Sequence, residues 1–295
     1  MNSRLRGVIA AIATPFSDSG EPDAARFLAR AQHLLADGCD GLNVLGTTGE
    51  ATSLSVEARE RLMGAVGHSA LPSSRMLVGT GAAALADAIR LTKAAAANGF
   101  GGALVLPPFY YKPVSDAGLL GFFEALVEAT ADEGIPLYLY NFPALSGVAY
   151  TPALVEALVA AFGRRIAGLK DSSGDVDYAQ RIAAISPELD VFPSNEGTLA
   201  LARAGGPFAG CISATANLNA SDCARAYRHG DGEALARAVA FRAIFDGLPL
   251  VPGVKAMVTH LTADPAQARV LPPLAPLTPA QTAELLARYS ALGST

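Results

Sequence analysis

The chain has 295 residues, 51% of them hydrophobic and 17% charged, a composition that supports a large buried core in one large domain or two average ones. Its net charge of −5 and its 22 dispersed lysines and arginines argue against nucleic acid as a partner, because binding phosphates requires clustered cations. No apolar run approaches the ~20 residues that span a bilayer. We therefore expect a cytoplasmic protein that acts on small molecules, with neither a membrane nor a nucleic acid as partner.

The first apolar run, VIAAIA, follows two arginines and superficially resembles a secretion leader. It is shorter than the roughly 7–15 residues of a leader's hydrophobic region. It also continues directly into Thr14, Pro15 and Phe16, with no spacer typical of a cleavage site. We interpret this run as the first β-strand.

Eight short apolar runs alternate with alanine-rich segments of helical period over most of the chain. The predicted strands are, in chain order, GVIAAIAT, GLNVLG, RMLVGT, GALVLPP, PLYLYN, IAGLK, LDVFPS and GCISAT. Strands this apolar are typical of a parallel sheet buried on both faces. Eight such βα units predict a (β/α)8 TIM barrel, an α/β fold, with a doubly wound open sheet as the alternative.

Strand signals stop near Ala220, and the remaining chain has helical period. We assign residues 1–220 to the barrel and residues 221–295 to a C-terminal helical region packed on it, within a single structural domain. The proline-rich stretch 263–280 is predicted to be an ordered loop between the last helices.

Polar residues follow several predicted strands, at the carboxyl ends that form the active-site face of such barrels. They are Thr47, Thr48, Glu50, Tyr110, Tyr111, Tyr140, Asn141, Lys170, Asn195, Glu196 and Ser213. A lysine amine removed from water can attack a ketone and form a Schiff base. Tyr140, at the end of the preceding strand, could transfer protons, and Thr47 and Thr48 could bind a carboxylate through hydroxyl and N–H groups.

Each of these features also has a simpler structural explanation. A single lysine after a strand is more often a solvated loop residue, and a lone tyrosine such as Tyr140 is commonly a core residue with a satisfied hydroxyl. The sequence GTTG can form a tight turn without any binding role. The combination at one rim favours catalysis but does not specify a reaction.

Seven motifs in consistent order make the chain resemble the Schiff-base class I aldolase superfamily that contains dihydrodipicolinate synthase and N-acetylneuraminate lyase. They are GVIAAIATPF, GLNVLGTTGEATSLS, GTGAAALADAI, PPFYYKP, YNFPALSGV, GLKDSSGD and GCISATAN, and they extend over residues 7 to 217. The resemblance implies a TIM barrel and a pyruvate-dependent aldolase or lyase that needs no cofactor beyond its lysine Schiff base. It also implies a homotetramer built as a dimer of dimers.

The resemblance gives individual residues a role. Lys170 is similar to the Schiff-base lysine and Tyr140 to the general acid/base. Thr47 and Thr48 are similar to the carboxylate-binding pair, which also takes part in a proton relay with the tyrosine. Tyr110 is similar to the tyrosine that a neighbouring subunit adds to this relay.

The remaining substrate-contacting positions bear on the substrate class. Ile212 is similar to the residue whose backbone faces pyruvate. Leu145 stands where the synthases usually have an arginine that binds the second substrate's carboxylate, and an apolar side chain cannot replace that clamp. Glu196 and Ser213 are similar to residues that hydrogen-bond a sugar chain in N-acetylneuraminate lyase.

Other positions depart from the lyases of sialic acid. These lyases usually have Ser-Thr at Thr47-Thr48, an acid at Asn195 and a threonine at Ser172. We therefore expect a lyase of a 4-hydroxy-2-oxo acid such as N-acetylneuraminate or 2-keto-3-deoxygluconate, with 4-hydroxy-tetrahydrodipicolinate (dihydrodipicolinate) synthase as the alternative.

Other classes of function have weaker support. The segment LVGTGAAALADA fits a dinucleotide-binding pattern through Gly79, Gly81 and Ala84, but no acid follows about 20 residues later at a strand end. A non-catalytic 2-oxo-acid sensor would need neither Lys170 nor Tyr140. The four histidines form no HxxxH or HExxH pair, so no metal site is expected, and three cysteines without CxxC spacing fit a reducing compartment.

Overall fold

Eight parallel strands form the centre of the part of the chain that the computed structural model describes, residues 4–203 and 205–293. In chain order they are β1 (Gly7–Ala11), β2 (Gly41–Val44), β3 (Met76–Gly79), β4 (Gly102–Val105), β5 (Leu137–Asn141), β6 (Ile166–Asp171), β7 (Asp190–Pro193) and β8 (Gly210–Ser213). Each overlaps one of the predicted strands, so all eight predictions are confirmed.

The strands close into a barrel. Their order is β7-β6-β5-β4-β3-β2-β1-β8, and the first and last strands of the chain pair in parallel, with Gly7 opposite Gly210. Between β7 and β8, the backbone N–H of Ala209 donates to the carbonyl of Val191 at 2.9 Å. This contact joins the two ends of the sheet, so the TIM-barrel prediction is confirmed and the open-sheet alternative is wrong.

Helices connect the strands and continue after the last of them. In chain order the helices of the described residues are α1 (Ala24–Ala36), α2 (Val56–Gly67), α3 (Leu85–Ala97), α4 (Asp116–Ala129), α5 (Pro143–Ser146), α6 (Pro152–Phe162), α7 (Val176–Ala183), α8 (Ala220–His229), α9 (Gly232–Ala243), α10 (Leu250–Thr262) and α11 (Pro279–Leu292). Several are preceded by a capping residue whose side chain accepts a hydrogen bond from a backbone N–H of the first turn. Ser55 does so for α2 and Thr151 for α6.

The barrel has one apolar layer outside the strands and another inside, because successive side chains of a strand point to opposite faces. On β6, Leu169 belongs to the layer between the strands and the helices. The next residue, Lys170, is in register with Tyr140 on β5 and Phe192 on β7, which both belong to the inner layer. The alternation therefore directs the Lys170 side chain into the mouth of the barrel.

The chain after β8 first completes the barrel and then forms helices beside that mouth. Helix α8 packs against β1 and completes the eighth βα unit. Helices α9, α10 and α11 enclose a small apolar cluster that includes Phe245, Met257 and Leu285. In the stretch 263–280, the described structure has one short 3-10 turn, Pro265–Ala268, and is otherwise loop up to Thr278, after which α11 begins. No helix within the described residues is long and apolar enough to cross a membrane.

Candidate active site

A cavity of about 640 Å³ opens at the carboxyl ends of the barrel strands. Its described lining includes Lys170, Tyr140, Thr47, Thr48 and Ile212, which come from four different strand ends. Helix α10 and the proline-rich segment add apolar side chains to the wall. The fold thus brings together residues that are up to 165 positions apart in the sequence.

Lys170 is buried, with 3% of its surface exposed, yet its amine reaches the cavity. Nζ lies 3.3 Å from Oδ1 of Asn43, on β2, and 4.4 Å from the centre of the Tyr140 ring. Both neighbours are uncharged in their ordinary states, and no ion pair of Lys170 occurs among the described residues. Asn43 was not among the predicted site residues, although an amide within the apolar run GLNVLG was the available signal.

The Tyr140 hydroxyl lies 2.9 Å from Oγ1 of Thr47, and either oxygen can donate this hydrogen bond. Tyr140 itself is 3% exposed. The phenol is therefore linked to the threonine turn on one side, while its ring faces the amine of Lys170 on the other. A proton can pass between the phenol and a group bound at the turn through such short contacts.

The turn that carries Thr47 and Thr48 has an unusual backbone. Leu45 and Glu50, on either side of it, have φ values of 52° and 55°, in the left-handed region. Gly79 on β3 makes room for this path, because a Cβ at that position would lie 1.9 Å from the carbonyl oxygen of Leu45. The neighbouring strand thus holds the threonine turn in place.

A hydrogen-bonded pair links the ends of β5 and β6 beside the lysine. Nδ2 of Asn141 donates to Oδ1 of Asp171 at 2.7 Å, and Ser173 donates to the other carboxylate oxygen at 2.8 Å. Burial raises the pKa of Asp171, and these hydrogen bonds oppose the rise. Ser172 lines the cavity, and its N–H donates to the Asn141 carbonyl at 2.8 Å.

Leu145 and Tyr110 are exposed. Leu145, on the short helix α5, lines the cavity and is 64% exposed. Tyr110, in the loop between β4 and α4, is 76% exposed and lies outside the described lining. Its ring contacts that of Tyr111, with the centroids 5.3 Å apart. No hydrogen bond joins Tyr110 to Tyr140 within the part of the chain that the structure describes.

Glu196 and Ser213 lie together beneath the cavity wall and are absent from its described lining. Oε1 of Glu196 accepts hydrogen bonds from Ser213, at 2.5 Å, and from Thr215. Its other oxygen pairs with Arg242 on α9, at 3.2 Å. Arg242 does line the cavity. It was not among the predicted site residues, because these were taken from strand ends and Arg242 lies on a helix after the barrel.

A second buried lysine lies behind the cavity wall. Lys255 on α10 donates to the carboxylate of Glu50 and, at 2.6 Å, to the carbonyl of Arg269. The other oxygen of Glu50 accepts from the N–H of Leu271 at 2.7 Å. Burial lowers the pKa of Lys255 to about 8, against the opposing effect of Glu50. This pair fastens the end of the threonine turn to the C-terminal helices.

The described residues contain no group of three or more His, Cys, Asp or Glu side chains that could hold a metal ion. The three cysteines, Cys39, Cys211 and Cys223, are buried and unbonded to one another.

Comparisons with known proteins cover nearly the whole chain. A sequence profile of the dihydrodipicolinate synthetase family matches residues 4–291. A protein of Chloroflexus aurantiacus named as an uncharacterized DapA-like lyase is 36% identical over 292 residues, which is 96% of each chain. A crystal structure of dihydrodipicolinate synthase from Agrobacterium tumefaciens aligns with a TM-score of 0.89 and 29% identity, over 97% of this chain and 99% of that one. YagE of E. coli, a member of the same family solved in complex with pyruvate, aligns with a TM-score of 0.87 and 28% identity over 99% of both chains.

Proposed function

Because the chain belongs to the dihydrodipicolinate synthetase family, we propose that it is a pyruvate-dependent aldolase that cleaves a 4-hydroxy-2-oxo acid to pyruvate and an aldehyde. Membership of the family makes the chain a carbon–carbon lyase that uses a lysine Schiff base. The residues in their roles and the substrate class are our proposal. The proposal includes no metal or other cofactor, since the lysine itself holds the substrate.

The observation that carries the proposal is the environment of Lys170. Its amine faces a cavity, hydrogen-bonds the amide oxygen of Asn43 without an ion pair among the described residues, and lies beside a phenol that is hydrogen-bonded to Thr47. A free amine is the nucleophile that imine formation requires. The phenol is placed to act as acid and base in the same step.

This geometry supports the following reaction as the proposed one. The carboxylate of the substrate binds at Thr47 and Thr48, which places its ketone beside Lys170. The amine adds to the ketone carbon, Tyr140 donates its proton to the hydroxyl of this adduct, and water leaves, which gives an iminium ion and a tyrosinate. Tyr140 accepts the proton of the C4 hydroxyl, the C3–C4 bond breaks, and its electron pair forms the enamine of pyruvate. Protonation at C3 and hydrolysis then release pyruvate and the free lysine.

The cavity wall supports a polyhydroxylated substrate, a 2-oxo-3-deoxy sugar acid. Uncharged hydroxyl side chains are numerous in the described lining: Thr52, Ser53, Ser172, Ser173, Ser194 and Thr198. Such groups match sugar hydroxyls as donors and acceptors. The synthase reaction, in which pyruvate condenses with aspartate semialdehyde, is the second candidate, because dihydrodipicolinate synthase of Agrobacterium tumefaciens is among the similar structures. The exposed, apolar Leu145 weighs against it.

We place the complete site in a homotetramer. Tyr110 is highly exposed in the single chain and lies beside the equally exposed Tyr111. Such an aromatic patch is suited to a protein interface. In the assembly, Tyr110 of a second copy would complete the proton relay. Sedimentation of the wild type and of Tyr110→Phe, with their activities, tests this assignment: a monomer with full activity would contradict it.

The test of the proposed function is trapping of the imine. The protein is incubated with pyruvate and borohydride, and the intact mass and the modified peptide are determined. Pyruvate is then followed with N-acetylneuraminate, with 2-keto-3-deoxygluconate, and with aspartate semialdehyde. A reduced adduct on Lys170 and pyruvate release from one sugar acid would support the lyase. Pyruvate consumption only with aspartate semialdehyde would make it a synthase, and no adduct would favour a non-catalytic 2-oxo-acid sensor.

A further inference from the structure

Arg242 occupies a position in the cavity wall that the proposed reaction does not explain. It lies near the end of α9, lines the cavity, and has a side chain that is 30% exposed. Its guanidinium makes one hydrogen bond to the described protein, from NH1 to Oε2 of Glu196 at 3.2 Å. The other N–H donors of this planar group are therefore available on the cavity side.

A buried network holds this arginine in place. Glu196 is fully buried, and its Oε1 is already bonded to Ser213 and Thr215. A buried carboxylate needs a nearby cation, because an unpaired charge away from water is strongly unfavourable. Glu196 thus fixes Arg242 at the wall without presenting its own oxygens to the cavity.

The cations of the cavity divide into two roles. In the part of the lining that the structure describes, they are Lys170 and Arg242. In the proposed reaction Lys170 bonds to the keto carbon. Arg242 is therefore the cation of the described lining that can bind the rest of the substrate. Leu145, at the mouth, has no polar side-chain atom to contribute.

The acidic side chains of the described lining do not pair with the guanidinium of Arg242, because each makes an ion pair or hydrogen bonds elsewhere. Glu50 is paired with Lys255, and Asp171 accepts from Asn141 and Ser173. Asp175 caps α7 by accepting from the N–H of Tyr178 at 2.9 Å.

We propose that Arg242 is a specificity-determining residue that binds an oxyanion on the aldehyde-derived part of the substrate, so that the substrate is anionic at both ends. This inference rests on the proposed function, since it assumes that the first carboxylate binds at the threonine turn. A guanidinium matches the planar pair of oxygens of a carboxylate or a phosphate, and the bond is charge-assisted. A cavity of about 640 Å³ has room for a chain longer than pyruvate.

The experiment compares matched aldehydes in the condensation direction at saturating pyruvate. One pair is butanal and 4-oxobutanoate, which differ by a carboxylate, and the other is glyceraldehyde and glyceraldehyde 3-phosphate. The measured quantity is the ratio of kcat/KM for the anionic aldehyde to that for its neutral counterpart. We expect this ratio to exceed one for at least one pair in the wild type, and the pair concerned identifies carboxylate or phosphate.

In Arg242→Met the ratio should fall about 10–100-fold, as expected for the loss of a charged hydrogen bond, and Arg242→Lys should lose less. Because Arg242→Met leaves Glu196 buried without its cation, the double variant Arg242→Met/Glu196→Gln is measured beside it. Arg237→Met is the matched control, since Arg237 lies on the same helix, outside the described lining, and pairs with Asp222. Its ratio should equal that of the wild type.

Two results would overturn the inference: a wild-type ratio of one or less for both pairs, or an equal loss with the anionic and neutral aldehydes in both Arg242→Met and Arg242→Met/Glu196→Gln. The second result would mean that Arg242 only supports the fold. Failure of the proposed function is seen separately, because the wild type would then form no borohydride-reduced pyruvate adduct, and the inference would fall with it.

Discussion

The molecule contains two buried lysines on opposite sides of one cavity wall. Lys170 and Lys255 are 3% and 1% exposed, and each amine lies over an aromatic ring, at 4.4 Å from the centre of Tyr140 and 4.0 Å from that of Phe16. Burial and an aromatic neighbour are therefore common to both. These features cannot be what separates a reactive lysine from a structural one.

The difference lies in the partner and in access. Lys255 is paired with the carboxylate of Glu50 and covered by the C-terminal segment. The amine of Lys255 is therefore occupied by an ion pair, and the residue has no place in the described cavity lining. Among the described residues Lys170 has no ion pair; its amine hydrogen-bonds the amide oxygen of Asn43 and lies at the cavity. Partner and access, and not burial, therefore distinguish Lys170, the proposed Schiff-base lysine, from Lys255.

The largest expected effect comes from replacing Lys170, the proposed Schiff-base lysine. Lys170→Met should abolish turnover and the trapped pyruvate adduct, because no other amine faces the keto carbon within the described lining. Lys255→Met should still form the adduct on Lys170. Intact-mass analysis and peptide mapping distinguish the two variants, and an adduct on Lys255 in the wild type would break the comparison.

Next in size is removal of the phenol beside Lys170. Tyr140→Phe keeps the ring under the amine but removes the oxygen that lies 2.9 Å from Thr47. We expect kcat to fall by roughly 10²–10⁴-fold, the usual contribution of a general acid or base. Steady-state kinetics on the best substrate measures this effect. Near-normal kcat would show that the site requires only an aromatic ring beside the amine, a feature that Lys255 also has.

A stability effect should distinguish the structural lysine. Lys255→Met leaves Glu50 buried without its cation, which should lower the free energy of unfolding by about 3–5 kcal/mol. Neutralising both partners, in Lys255→Met/Glu50→Gln, should recover much of that loss. Denaturant titration gives the values. A single variant as stable as the wild type would contradict the assignment of Lys255 as a structural residue.

The smallest expected effect is on the pH dependence of stability. The pKa of Lys255 is about 8 in the folded protein, below its usual 10.5, because burial disfavours the charged form. Between these values the unfolded chain binds more protons than the folded one, so this group makes stability rise with pH over that window. The unfolding free energy of the wild type should therefore increase relative to Lys255→Met from pH 8 to 10.5. A difference in unfolding free energy that stays constant over this pH range would mean that the pKa of Lys255 is not lowered.

The sequence supplied most of the barrel and the centre of the candidate site. Apolar runs set the strands, and the strand-end rule pointed to Lys170, Tyr140 and the threonine pair, because these residues sit where local pattern and fold agree. Arg242 was not predicted, because its place at the cavity depends on how α9 packs over the barrel, and no local sequence pattern encodes that packing. Glu196 was identified as a polar strand-end residue, but its bonding to Ser213 and Arg242 depends on tertiary packing.

The pairing of β1 with β8 also concerns the order in which a newly synthesised chain can acquire this site. The first strand of the barrel stays without one neighbour until residues 210–213 have left the ribosome. The wall that α10 and the proline-rich segment provide comes later still. Because contacts between distant parts of a chain form slowly, Lys170, the proposed Schiff-base lysine, is synthesised well before its pocket exists. A nascent chain halted before α10 would carry Lys170 in a site that lacks one wall.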